Sequence, residues 1–199
     1  MFYTPRLRLR AVEPEDLEQA WEWVNDPEVH QFITTTWPLS HQDEAEWLER
    51  QRRLPLWQRP LSLEARTDEG WRLIGNAALV RIEWPHRWAE LAIMLGDKAF
   101  WGQGYGTEAV QALTGIAFDI LNLHRVQLEV YEYNARARRA YEKAGFRLEG
   151  RRREAIFYRG AYHDSLLMAV LRAAWTPPEW WRTWPYPGAT AGHGVTSSK

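Results

Sequence analysis

The segment FWGQGYGTEAV, residues 100–110, places glycine at three alternate positions and then becomes helical. Backbone N–H groups at the start of a helix have no intrahelical partner and lie at the positive end of the helix dipole. Glycine lets such groups approach a ligand closely and adopt a positive φ. The segment therefore predicts an anion site suited to a phosphate or diphosphate, although a turn that merely needs glycine explains the short motif equally well.

Two other nucleotide-binding motifs fit this segment less well. Residues 104–109 match the looser G-x-G-x-x-A form of the dinucleotide fingerprint, with Glu129 at about the spacing of a ribose-binding acid. That fingerprint should leave its strand directly, whereas DKAFWGQ separates Leu95 from Gly104. A P-loop needs Gly-Lys followed by Ser or Thr, and the sequence contains no such triplet.

The composition excludes several kinds of chemistry. None of the 199 residues is cysteine, so the chain forms no disulfide, thiolate metal site or cysteine nucleophile. A formal net charge of -1 creates no global attraction to nucleic acid or anionic lipid. Charged residues begin near the N-terminus, and no apolar run approaches the roughly 20 residues of a membrane span. We therefore expect a cytoplasmic protein with no nucleic-acid or membrane partner.

Hydrophobic periodicity predicts the elements that position the glycine segment. RLRLRAV reads as a half-buried strand, and two amphipathic helices follow it. Strands LSLEART, RLIGNAALVRI and AELAIML precede the glycine segment, and a helix, the strand RVQLEVYEY, the helix ARARRAYEKAG and a hairpin follow it. This order predicts an α+β (mixed α/β) domain over residues 1–175, with a mostly antiparallel sheet of six to seven strands flanked by helices.

Residues 176–199 differ in composition, because they are rich first in Trp and Pro and then in Gly, Ala, Ser and Thr. We expect them to form a tail outside the domain. The tryptophan cluster at residues 180–187 would be an aggregation-prone patch if it were exposed. It is therefore expected to dock on the domain or on a second subunit.

The succession of AELAIML, FWGQGYGTEA, VQLEVYEYN and ARARRAYEKAGF resembles the acetyl-CoA-dependent N-acetyltransferases of the GNAT superfamily. Over about residues 4–175 the chain is most similar to the RimJ/RimL-like ribosomal-protein branch, with spermidine acetyltransferases close by. Trp101 stands where the superfamily's diphosphate loop usually has Gln or Arg, whereas Gly104 and Gly106 match. The resemblance implies a GNAT fold with a splay between the fourth and fifth strands, and metal-free acetyl transfer from acetyl-CoA to an amine.

The resemblance also implies a set of acetyl-CoA-binding residues in the strand, the loop and the two helices. They are Met94, Leu95, Gln103, Gly104, Tyr105, Gly106, Thr107, Asn134 and Arg139. Loop N–H groups would bind the diphosphate, and the strand edge at Met94 and Leu95 would pair with pantetheine. Asn134 also fits a helix N-cap. Arg136, Arg138 and Arg139 form a basic turn that is equally consistent with a solvated face.

Tyr141 and Glu90 are the catalytic residues that the resemblance implies. Tyr141 stands where many relatives have a tyrosine general acid, since a phenol with a pKa near ~10 can protonate a thiolate; core packing is its alternative role. Glu90 alternates with Ala92 and Met94 on the fourth strand and is the leading general base, with a surface carboxylate as its alternative role. Weaker candidates for the base are Glu129, Glu132 and His30.

The acceptor site is the least specified part of the sequence. The resemblance places it between the first two helices and the last hairpin, where Trp37, Tyr158 and Tyr162 would line a slot. Neither segment is strongly acidic, which favours a peptide N-terminal α-amine over a polyamine or another small amine. Without cysteine, direct attack in a ternary complex is expected. A non-catalytic acetyl-CoA sensor is the alternative to an enzyme, and a homodimer is a possible assembly.

Overall fold

The computed structural model describes residues 1–33 and 37–183. The strands in this part of the chain are β1 (Phe2–Tyr3), β2 (Leu7–Ala11), β3 (Leu61–Thr67), β4 (Gly70–Glu83), β5 (Trp88–Leu95), β6 (Arg125–Tyr131), β7 (Arg147–Tyr158) and β8 (Ala161–Leu171). They form one sheet in the order β1-β2-β3-β4-β5-β6-β8-β7, in which only β5 and β6 are parallel. This confirms the mixed, mostly antiparallel sheet. The additional strand β1 is too short to show a periodicity.

The helices of the described residues surround this sheet. They are α1 (Leu17–Asn25), α2 (Pro27–His30), α3 (His41–Arg52), α4 (Tyr105–Gly115), α5 (Ala135–Lys143) and α6 (Glu179–Arg182). A π-helical turn, Ile116–Ile120, continues α4. Single 3-10 turns lie at Pro14–Asp16, Leu56–Gln58, Lys98–Phe100 and Arg172–Ala174. None of these helices is both long and apolar enough to cross a membrane.

Strands β5 and β6 pair only at their first residues. Trp88 pairs with Arg125, Ala89 with Val126, and Glu90 with Gln127. No further pair follows, although each strand continues and stays bonded to its other neighbour, β5 to β4 and β6 to β8. The predicted splay is therefore present between β5 and β6, which are the fourth and fifth predicted strands because β1 was not predicted. It opens the sheet near its centre.

Helix α4 packs against the sheet through an apolar face. Ala109, Val110 and Leu113 are buried in the same core as Leu9 and Leu63 from the N-terminal strands. The core therefore lies between α4 and the sheet. This packing fixes the start of α4 next to the splay.

The segment that follows β8 packs against the domain. Trp181 is 6% exposed, and its indole N–H donates to Asp119 Oδ2 over 2.8 Å. A Cβ atom added at Gly115 would lie 2.3 Å from the Trp181 ring, so the glycine leaves the space that the ring occupies. The described part of the predicted tryptophan cluster thus docks on the domain, whereas residues 184–187 lie outside the described residues. The boundary at residue 175 stays a prediction.

Candidate active site

A cavity of about 890 Å³ lies where β5 and β6 separate. Its walls come from both strands, from the loop before α4, from the first turns of α4 and α5, and from α1 and α3. The predicted site residues that line it are Glu90, Met94, Leu95, Gly104, Gly106, Thr107, Asn134, Arg139 and Tyr141. The fold therefore brings the strand, the glycine loop and the second helix of the motif to one cavity.

The glycine loop has the backbone geometry that a phosphate site needs. Gly104 is the N-cap residue of α4 with a φ of 89°, and Gly102 has a φ of 75°. Both values lie in the left-handed region that favours glycine. No side chain caps α4, so the N–H groups of its first turn keep their capacity to bind an anion. The loop fits the diphosphate of CoA.

Arg6 braces the outer side of this loop. Its Nη1 donates to the Gln103 carbonyl oxygen over 3.0 Å, and its Nε donates to Glu108 Oε2 over 2.7 Å. Its guanidinium also lies 4.3 Å from the centre of the Tyr105 ring. Gln103 and Tyr105 are not among the residues that line the cavity. Their backbone N–H groups stay predicted contacts of the cofactor.

Asn134 takes the capping role that its sequence position allowed. Its Oδ1 accepts a hydrogen bond from the Ala137 N–H over 3.1 Å at the start of α5. The side chain also lines the cavity, and its Nδ2 donates to no described residue. The two predicted roles are therefore compatible, because the cap uses the oxygen and leaves the amide N–H groups.

Tyr141 is a buried phenol whose side chain lines the cavity and is 8% exposed. Burial raises its pKa to about 12, above the ordinary value near ~10. Its hydroxyl makes no hydrogen bond to a described residue. Among the described residues, the only side-chain nitrogen or oxygen that is fully buried without a hydrogen-bond partner is Trp175 Nε1, so the Tyr141 hydroxyl is not fully buried. The Tyr141 hydroxyl therefore reaches the cavity, protonated at neutral pH.

Glu90 is the predicted base that keeps a free carboxylate. It is half-buried, lines the cavity and forms no ion pair with a described residue. Glu129 also lines the cavity, but Arg152 Nη1 lies 2.6 Å from its Oε1. Neither Glu132 nor His30 lines the cavity. The geometry favours Glu90 among the acidic candidates that the sequence offered.

Glu44 on α3 is a cavity residue that the sequence analysis missed. It is 5% exposed, and its carboxylate has no hydrogen-bond or ion-pair partner among the described residues. Burial raises its pKa. A buried carboxylate is costly unless a cation or donor meets it, so Glu44 is a candidate contact for a cationic group that enters the cavity. Its sequence signal is its position one helical turn before buried Leu48, on the same face of α3.

The predicted acceptor residues do not line this cavity. Trp37 is 78% exposed and Tyr162 is 65% exposed. Tyr158 lines a separate cavity of about 410 Å³, and its ring stacks on Tyr133 at a centroid distance of 5.3 Å. The residue of the last hairpin that reaches the main cavity is Ile156. Substrate binding by the three predicted residues stays a prediction.

Residues 6–147 match the family described as acetyltransferase (GNAT) domain. The chain therefore belongs to the GNAT acetyltransferases. It is an acetyl-CoA-dependent N-acetyltransferase.

Individual relatives cover nearly the whole described chain. A spermidine N(1)-acetyltransferase of Vibrio cholerae is 30% identical over 171 residues, which are 84% of this chain and 94% of the relative. A putative ribosomal N-acetyltransferase of Bacillus subtilis is 27% identical over 175 residues, 85% of this chain and 93% of the relative. The solved spermidine N-acetyltransferase of Vibrio cholerae with CoA and spermine is 27% identical, with a TM-score of 0.76 over 86% of this chain and 98% of that one.

Proposed function

We propose that the acceptor is a primary amine of a small polycationic molecule of the polyamine type. The observation that carries the proposal is Glu44, a buried carboxylate that forms no hydrogen bond or ion pair with a described residue, in the cavity that also contains Glu90. One ammonium group of the acceptor pairs with Glu44 while another amine reaches the thioester. The sequence favoured a peptide because the predicted acceptor segments are not acidic, but the acidic residues of the cavity lie on α3, β5 and β6.

The proposed roles of the chain's residues follow from their positions. The first-turn N–H groups of α4 bind the diphosphate, and the edge of β5 at Met94 and Leu95 holds the pantetheine arm. Acetyl-CoA supplies the activated acetyl group. Glu90 accepts a proton from the ammonium group of the acceptor, directly or through water, because only the neutral amine is nucleophilic. Tyr141 holds at its hydroxyl the proton that the leaving thiolate requires.

A peptide N-terminal α-amine is the second candidate acceptor. It is supported by the putative ribosomal N-acetyltransferase of Bacillus subtilis and by the RimJ/RimL-like motifs. An α-amine has a pKa near 7.7–8.0, against roughly 10.4 for a lysine-type amine, so it needs less help from Glu90. Glu44 would then bind a cationic side chain near the peptide terminus.

An acceptor screen distinguishes the two candidates. CoA release is measured with spermidine, spermine, butylamine and ribosomal N-terminal peptides, for the wild type, Glu44→Gln and the control Glu46→Gln. Glu46 lies on the same helix, is exposed and faces Arg50. We expect Glu44→Gln to raise KM for spermidine about tenfold or more, with little change for butylamine, because only the polyamine has a second cation. Turnover confined to peptides would refute the polyamine proposal.

A further inference from the structure

Arg136, in the first turn of α5, is a cation without a counter-ion. It is half-buried and makes no hydrogen bond or ion pair with a described residue. Its guanidinium carbon lies 3.4 Å from the centre of the Trp101 ring and 5.4 Å from that of Phe32. Burial lowers its pKa. Its charge is therefore partly desolvated, and no carboxylate of a described residue pairs with it.

The stacking leaves the hydrogen-bonding edge of this guanidinium available. Aromatic rings contact the face of the planar group, whereas its N–H donors point outward in the plane. Arg136 lines the same cavity as Gly102, Gly104 and Gly106, whose loop leads into the uncapped start of α4. A bidentate donor beside an uncapped helix start is suited to phosphate oxygens.

We propose that Arg136 binds the diphosphate of CoA through its guanidinium N–H groups and that Trp101 positions it. The Trp101 ring is itself fixed, because its indole N–H donates to the Leu95 carbonyl oxygen over 2.7 Å. The end of β5 thus orients Trp101, and Trp101 orients Arg136. This also accounts for the tryptophan where related loops usually have Gln or Arg: the polar contact comes from α5 instead of the loop.

Arg138 provides a matched control, since it lies two residues further along α5. It is exposed, does not line the cavity and pairs with Glu142 over 2.8 Å. Isothermal titration calorimetry measures the Kd of CoA and of dephospho-CoA, which lacks only the 3′-phosphate. We expect Arg136→Met to weaken both ligands by the same factor, about ten- to a hundredfold, and Arg138→Met to change neither by more than about threefold.

Two further comparisons separate a phosphate contact from a structural role. With acetyl-pantetheine, which has no phosphate, Arg136→Met should keep the wild-type kcat/KM, whereas with acetyl-CoA kcat/KM should fall with the affinity. Trp101→Leu should weaken CoA less than Arg136→Met, and Trp101→Phe, which keeps a ring, should weaken it least. Arg136→Lys should be intermediate, because an ammonium keeps the charge and loses the planar donor geometry.

Three results would overturn the assignment. A loss seen with CoA and absent with dephospho-CoA would place the contact at the 3′-phosphate. An equal loss of kcat/KM with acetyl-pantetheine would show that Arg136 maintains the shape of the cavity. An equal loss of affinity in Arg138→Met would attribute the effect to the general charge of α5.

Discussion

At the scale of single residues, Tyr141 combines a buried ring with a hydroxyl that meets the cavity. Its raised pKa, about 12, keeps the hydroxyl protonated across the range in which enzymes work. Such a phenol is a weaker acid than free tyrosine. In the proposed role as general acid, it would transfer its proton only as negative charge develops on the sulfur. This differs from the matched acidities near ~10 that the sequence alone suggested.

The first prediction concerns this hydroxyl. Tyr141→Phe should lower kcat by roughly 10²-fold or more, with the Kd of CoA nearly unchanged, because only the proton donor is removed. Since the pKa lies at about 12, the wild type should show no falling alkaline limb of kcat from this group below pH 11. Steady-state rates and calorimetry measure both quantities. An unchanged kcat in Tyr141→Phe would rule out the hydroxyl as the acid, whereas a limb near pH 9 that disappears in this variant would contradict the raised pKa.

Glu44 gives a second prediction, which links pH to stability. Because burial raises its pKa above the reference value of 4.5, the folded state binds this proton more tightly than the unfolded chain. Its contribution to stability is therefore fully present below pH 4.5 and is lost as the pH rises through the raised pKa. Glu44→Gln should melt higher than the wild type at pH 7.5, and the difference should shrink towards pH 4.

Calorimetric melting curves across this pH range test the sign. Glu46→Gln, on the exposed side of the same helix, should show no such pH-dependent difference. A wild type more stable than Glu44→Gln at pH 7.5 would mean that the carboxylate has a cationic partner in the free protein. If Glu44 binds the acceptor as proposed, its buried carboxylate destabilises the free protein, and the ammonium group of the acceptor supplies the missing positive charge.

At the scale of elements, the glycine loop and the start of α4 form one unit, and Arg6 stabilises it by contacts with both parts. Gly104 and Gly160 share a left-handed backbone, with φ of 89° and 80°, but only Gly104 lies in the loop. Gly104→Asp and Gly160→Asp should each cost about 1–2 kcal/mol of stability. Only Gly104→Asp should abolish acetyl-CoA binding, because it adds a negative charge at the helix start that is proposed to bind the diphosphate. Calorimetry that still finds CoA affinity in Gly104→Asp would refute the loop assignment.

Most elements were predictable because their signals are local. Alternation along β2 and β6 and the helical spacing of α4 are properties of neighbouring residues. Strand β1 and helix α2 escaped prediction, since two and four residues are too few to establish a period. The π-helical turn after α4 has no counterpart in the hydrophobic pattern and depends on local packing.

At the scale of the whole molecule, Trp181 ties the end of the described chain to α4 and the turn that follows it. Trp181→Ala should destabilise the protein by about 3–5 kcal/mol, since it empties a buried site and removes the hydrogen bond to Asp119. Trp57→Ala, at a largely exposed ring, should cost less than about 1 kcal/mol. Chemical unfolding measures both; equal losses would contradict the docking.

Two further predictions concern the whole molecule: where the domain ends and whether the protein forms a dimer. If the domain ends at residue 175, a chain shortened there should lose the stability that Trp181 provides and still bind CoA with its ordinary affinity. The homodimer stays a prediction that sedimentation equilibrium can test.

The sequence by itself determined the order of most elements and the glycine loop, because periodicity and glycine spacing are carried by consecutive residues. The splay between two strands followed only from the family resemblance. The family resemblance implied Tyr141 as the general acid, and the alternation along the fourth strand made Glu90 the leading base; both roles stay predictions. Only the tertiary structure added Arg136 to the cavity residues, placed Trp37 and Tyr162 at exposed positions and revealed Glu44. The physical reason is that desolvation and charge compensation depend on which distant elements pack around a side chain, and no local pattern encodes that packing.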